Sequence, residues 1–77
     1  MALELFTSKT CGYCAEMREQ LEWDGVEFVE YDVDADPAAR ARLGALAGGT
    51  ALLPALVEDG RISRSGVGGR GCYVGGG

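Results

Sequence analysis

The feature that most constrains this chain is a junction near its start. Leu3-Glu4-Leu5-Phe6-Thr7 is a short apolar run, Ser8-Lys9-Thr10 is polar, and Cys11-Gly12-Tyr13-Cys14 leads into a segment of helical period. The run predicts a mostly buried strand and the polar triplet a turn. The helix is expected over roughly Cys14 to Trp23, with Cys14, Met17 and Leu21 on one face. Asp24-Gly25 ends it, glycine being suited to a left-handed C-terminal conformation. A chain that opens this way is a strand–turn–helix unit with two thiols at its bend.

The rest of the pattern extends that unit. Val26 to Val33 alternates apolar and acidic residues, which predicts a second strand. Asp36-Pro37 is a helix start, Asp as N-cap and Pro at the first helical position, and the helix runs to Ala47 before Gly48-Gly49. Ala51 to Val57 reads as a third strand interrupted by Pro54. Proline donates nothing to a ladder, so Pro54 belongs at a strand beginning, a bulge or a special turn. Glu58-Asp59-Gly60-Arg61 is a hairpin turn, and Arg61 to Arg64 a fourth strand. The order β-α-β-α-β-β predicts an α/β fold on a mixed four-stranded sheet, with strands 1 and 2 parallel across a right-handed crossover. From Gly66 to Gly77 seven of twelve residues are glycine. At about 1 kcal/mol per glycine relative to alanine, no helix is expected there. The expected organisation is a domain over residues 1–66 and a flexible glycine-rich tail over 67–77.

Composition excludes some functions. The 77 residues carry a net charge of −5, and Glu22 to Asp36 holds seven acids and no base. An acidic body lacks the basic face that displaces counterions from nucleic acid, so no nucleic-acid partner is expected. No apolar run approaches the roughly 18–20 residues of a membrane span, and no leader segment is visible. The expectation is a soluble cytoplasmic monomer with no membrane partner. Three cysteines do not make a paired disulfide framework, and a close pair in a reducing compartment points to catalysis or metal binding.

Cys-x-x-Cys where a strand enters a helix has a specific chemical use. Free backbone N–H groups and the positive end of the helix dipole favour an anion at Cys11. Its thiolate is expected below the free pKa of about 8.5, and Lys9 adds positive charge nearby. Cys11 would attack a disulfide, and Cys14, one turn on, would resolve the mixed disulfide. Gly12 and Tyr13 adjust the poise, Tyr13 by shielding one side. Two other readings compete. A zinc site needs about four ligands, and here there is no histidine and one further cysteine; no metal is expected. Two buried inert thiols is the plainer alternative.

The motifs taken in order resemble the glutaredoxin family. Leu5-Phe6-Thr7, Cys11-Gly12-Tyr13-Cys14, Gly25-Val26-Glu27-Phe28, Tyr31-Asp32-Val33-Asp34 and Leu53 to Gly60 follow its pattern over about residues 3 to 66. The resemblance implies a thioredoxin-like fold and reduction of protein or glutathione mixed disulfides, with glutathione as reductant and no bound cofactor. It implies a cis peptide before Pro54, facing the dithiol, and a Leu53 backbone that meets the substrate's cysteinyl segment. Lys9, Tyr13, Leu53, Pro54, Ser65 and Gly66 are the implied substrate-binding residues. Ser8 stands where the family lysine is usual, and no acid follows Ser65-Gly66. Arg40 is a candidate partner for a substrate carboxylate. The family also includes iron–sulfur carriers or sensors, the alternative function, and relatives reduced by thioredoxin reductase, whose aromatic C-terminal motif this chain lacks.

Gly69-Arg70-Gly71-Cys72-Tyr73-Val74 stands apart. It resembles a glutaredoxin-like group with cysteine or selenocysteine third from the end, although in this chain Gly75-Gly76-Gly77 follows. Cys72 on a flexible strip is a candidate accessory redox thiol, able to reach Cys11 or Cys14 and relay electrons outward. Arg70 would favour its thiolate.

Overall fold

The architecture follows from one strand buried on both faces. The computed structural model describes residues 3–74. Strand β1 (Leu3–Thr7) pairs parallel with β2 (Val29–Asp32) and antiparallel with β4 (Ala55–Glu58), and β5 (Arg61–Ser65) completes the order β2-β1-β4-β5. Successive residues of a strand point to opposite faces. Leu5 therefore meets Met17 and Leu21 of helix α1 (Gly12–Trp23), together with Leu56. Phe6 meets Val33, Leu43 and Val57 on the other face, where helix α2 (Pro37–Ala47) also buries Ala39. Two helices on a mixed sheet match the α/β expectation.

Local chemistry sets the element ends. Asp36 caps α2, its carboxylate accepting from the Ala39 backbone N–H at 3.1 Å, with Pro37 in the first turn. Gly48 closes the helix in the left-handed region at φ 74°. Helix α1 starts two residues earlier than its apolar period suggests, because Cys11 itself is the N-cap, at φ −103° and ψ 108°. Strand β2 is shorter than the alternation over Val26 to Val33. Val26 and Phe28 pack into the Leu5 layer without joining the ladder. The β4–β5 turn places Asp59 and Gly60 at φ 53° and 77°, the twist that suits a two-residue hairpin.

The third expected strand is two. The Leu53–Pro54 peptide is cis, and there the chain passes from β3 (Ala51–Leu53) into β4. Strand β3 belongs to a separate two-stranded sheet with β6 (Cys72–Val74). The flexible strip expected after Gly66 is thus corrected as far as Val74. Val67 and Arg70 exchange two backbone hydrogen bonds, at 2.6 and 3.0 Å, across Gly68 and Gly69, both at positive φ. This is a tight turn that returns the chain along β3. Gly75-Gly76-Gly77 lies outside the described residues. Among those residues, no helix is long and apolar enough to cross a membrane.

The Asp36 cap gives a stability test. Replacing Asp36 with alanine removes the acceptor for the Ala39 N–H and is expected to cost about 1 kcal/mol. In a domain of this size that lowers the thermal midpoint by about 4–8 °C. A scan with an unshifted midpoint would show that the cap contributes nothing.

Candidate active site

The site forms where β1 ends and α1 begins. Thr7 and Ser8 are buried, and the Cys11 N–H donates to the Ser8 carbonyl at 3.2 Å, closing the polar turn. That turn sets Cys11 immediately before the first helical residue, with no side chain capping the helix. The Cys14 N–H bonds the Cys11 carbonyl at 3.1 Å, so both cysteines share the first turn of α1. Both are almost wholly buried, 3% and 1% exposed, in one apolar layer with Leu53 and Ala55. Tyr13, Cys72 and Val74 pack against that layer.

The sulfurs are unequally engaged. Cys11 is joined to Cys72 by a disulfide across 61 residues, with the Cα atoms 5.9 Å apart, while Cys14 is a free buried thiol. The Cys14 sulfur accepts from the Ser8 backbone N–H at 3.4 Å. Burial pushes its pKa up, and the Ser8 N–H and the charge of Arg18 only partly oppose this. Arg18 stands one helical turn beyond Cys14 and is held by a two-point pair with Glu30 at 2.6 Å. Glu30 also accepts from the Thr7 hydroxyl at 2.9 Å. Its carboxyl is held below the usual range, chiefly by Arg18.

The other expected residues divide. Leu53 and Pro54 are buried on the sulfur side of the fold, and Leu53 is the register partner of Cys72. Lys9 points elsewhere, its Nζ 4.0 Å from Asp32 in an exposed ion pair. Ser65 is exposed at the end of β5, whereas Gly66 is buried, its N–H donating to the Pro54 carbonyl at 2.8 Å. Arg40 is exposed on α2. Among the described residues, no group of three or more histidine, cysteine or acidic side chains gathers to hold a metal ion.

Sequence reading missed two contributors and a groove. Ser8 bonds Cys14 through its backbone and Asp34 through its hydroxyl, tying the cysteine turn to the loop after β2. Arg18 carries a legible signal, since positions four apart on a helix share a face. A 930 Å³ groove runs between Glu16, Gln20 and Trp23 of α1 and the segment from Arg64 to Gly68, so Ser65 and Gly66 line it. None of the three sulfurs lines it.

The site thus holds two cysteines in the first turn of α1, one of them bonded to Cys72, and the fold carries a cis peptide before Pro54. A family model for glutaredoxins matches residues 3–62. The chain belongs to the glutaredoxin family. A protein of Synechocystis named a probable glutaredoxin is 34% identical over 67 residues, which covers 87% of this chain and 58% of the relative. A second probable glutaredoxin of Synechocystis is 39% identical over 57 residues, covering 74% of this chain and 65% of its own length. The chain therefore spans less than two thirds of either relative. No solved structure gives a significant match.

The raised Cys14 pKa has a measurable consequence. The folded chain keeps a proton that the unfolded chain releases. Cys14's contribution to stability is therefore complete below the ordinary thiol value and declines as pH rises above it. With the Cys11–Cys72 disulfide intact, the ultraviolet absorbance of the Cys14 thiolate is expected to titrate with a midpoint above that value. A midpoint at or below it would mean that burial does not dominate this thiol.

Proposed function

We propose that this chain is a thiol–disulfide oxidoreductase that reduces protein or glutathione mixed disulfides, with Cys11 as nucleophile and Cys14 as resolving thiol. The observation that carries the reading is the setting of Cys11. It is the uncapped N-cap of α1, already in a disulfide, with a second sulfur in the same helical turn. Unsatisfied N–H groups and the helix dipole favour an anion at that position. Membership of the glutaredoxin family supports the same chemistry.

The exchange balances without a bound cofactor. The Cys11 thiolate attacks one sulfur of the target disulfide, the target's second sulfur leaves as a thiolate, and a Cys11 mixed disulfide forms. The Cys14 thiolate then attacks Cys11 Sγ, releasing the bound target thiol and leaving a Cys11–Cys14 disulfide. Two equivalents of a small thiol, glutathione in our reading, return the dithiol. The chain would act as a monomer in a reducing compartment such as the cytoplasm, where thiols persist. Pro54 and the Leu53 backbone would flank the incoming cysteinyl segment, with Tyr13 beside it. Ser65 and Gly66 would meet the glutathione end of a mixed disulfide, and Lys9 would join them only by leaving Asp32.

Turnover of a glutathionylated peptide, with glutathione as reductant, tests the assignment. Cys11→Ser is expected to fall to the uncatalysed rate. Cys14→Ser is expected to keep part of this activity, because a second glutathione can attack the Cys11 mixed disulfide, and to lose reduction of intramolecular protein disulfides. Wild-type turnover by Cys11→Ser would refute the assignment of Cys11 as nucleophile.

A further inference from the structure

Strand β3 pairs with β6 and with no other strand among the described residues. Without β6 its edge would stand open beside the sulfurs, and an open edge is a template for an added strand. What fills it is a cysteine segment in antiparallel register, Leu53 with Cys72, Leu52 with Tyr73 and Ala51 with Val74. The cysteine of that segment is disulfide-bonded to Cys11. In geometry this is an attacked substrate, except that the chain supplies it.

We infer that Gly71-Cys72-Tyr73-Val74 is a built-in substrate, and that the β3 edge takes extended cysteine peptides with glycine immediately before the cysteine. This rests on the reading of Cys11 as the nucleophile. The glycine requirement comes from close approach. A Cβ on Gly71 would collide with the Leu53 carbonyl oxygen and stand 3.0 Å from Leu52 Cδ1. The Leu53 oxygen is backbone and cannot swing aside. The residue after the cysteine is unrestricted, since Tyr73 is 77% exposed. The next one, Val74, turns back onto the apolar layer that holds Cys11 and Cys14, as alternation along a strand requires. The edge therefore reads Gly-Cys, one open position, then an apolar side chain.

The internal substrate leaves by the same exchange as an external one. The Cys14 thiolate attacks Cys11 Sγ, the Cys11–Cys72 bond breaks, and a Cys11–Cys14 bond forms. The electron pair departs on Cys72 Sγ, which takes up the proton that Cys14 gave. One disulfide replaces another, with no net oxidation. While Cys72 is bonded, Cys11 is unavailable to any other disulfide.

Two measurements on the full chain test the inference. In the first, the oxidised protein is treated to block free thiols, and its disulfides are mapped by mass spectrometry. Wild type is expected to show mainly Cys11–Cys72. In Gly71→Val the ratio of Cys11–Cys72 to Cys11–Cys14 is expected to drop about tenfold or more, the scale of an overpacking penalty. An unchanged ratio overturns the inference, and this map needs no catalytic activity. The second measurement serves if the Gly71→Val chain does not fold. Cys72→Ser protein is given glutathionylated Val-Gly-Gly-Arg-Gly-Cys-Tyr-Val, or the same peptide with valine before the cysteine. The glycine peptide is expected to react about tenfold faster or more. Equal rates on both peptides overturn the glycine requirement and leave the oxidoreductase reading intact. A Cys72→Ser chain inert towards every mixed disulfide removes the oxidoreductase reading, and the substrate reading with it.

Discussion

The pairing of β1 on both sides holds the rest of this molecule in place. Parallel β2 on one edge and antiparallel β4 on the other leave β1 no freedom to slide, because Leu5 and Phe6 must each stay in its own buried layer. A one-residue slip would exchange those layers. The end of β1 is therefore a fixed point, and the Ser8 turn carries that fixity to Cys11. The same pairing fixes β4, and through the Leu53–Pro54 peptide it fixes the start of the neighbouring sheet. The cysteine turn and the β3 edge are both anchored to one strand, which is why they face each other reproducibly in so small a chain.

Much of this is legible in the residues alone. Asp36-Pro37 announces α2 through a cap and a pre-set φ, and the structure keeps both. The cysteine turn is legible because a buried strand, a polar triplet and a helical period adjoin without a gap. Boundaries are less so. Cys11 carries no side-chain cap to mark the start of α1, and Val26 and Phe28 look like strand although their burial comes from packing alone. Lys9 shows where proximity in sequence misleads. Two residues from Cys11, it turns outward to Asp32 at the end of β2, because an exposed ammonium pairs with a carboxylate rather than with a buried, disulfide-bonded sulfur.

The tail is where local reasoning runs out. Counting glycines correctly argues against a helix, but whether the segment forms a strand depends on a partner edge about twenty residues earlier. That edge exists because Pro54 diverts the chain from one sheet to another, a non-local fact. Two local signs are present. Gly68-Gly69 has the composition of a two-residue turn, and Tyr73-Val74 has strand propensity. Neither predicts that Gly71 must be glycine, which follows from where the Leu53 carbonyl lies.

The strength of the tail's attachment decides what the arrangement can do. Apart from its disulfide, β6 offers three residues of ladder, one half-buried valine and an exposed tyrosine. Segments with so few buried apolar contacts lie at the weak end of local stability. A disulfide closing a loop of this length, 61 residues in sequence separation, contributes about 4 kcal/mol in the chain-entropy account. That term acts on the whole fold by restricting the unfolded chain, while on the folded body the same bond tethers a segment that has few contacts of its own. Cys14, in the same helical turn as Cys11, is a buried free thiol whose pKa burial pushes up. A weak strand joined through one sulfur bond ties occupancy of the β3 edge to the state of that bond.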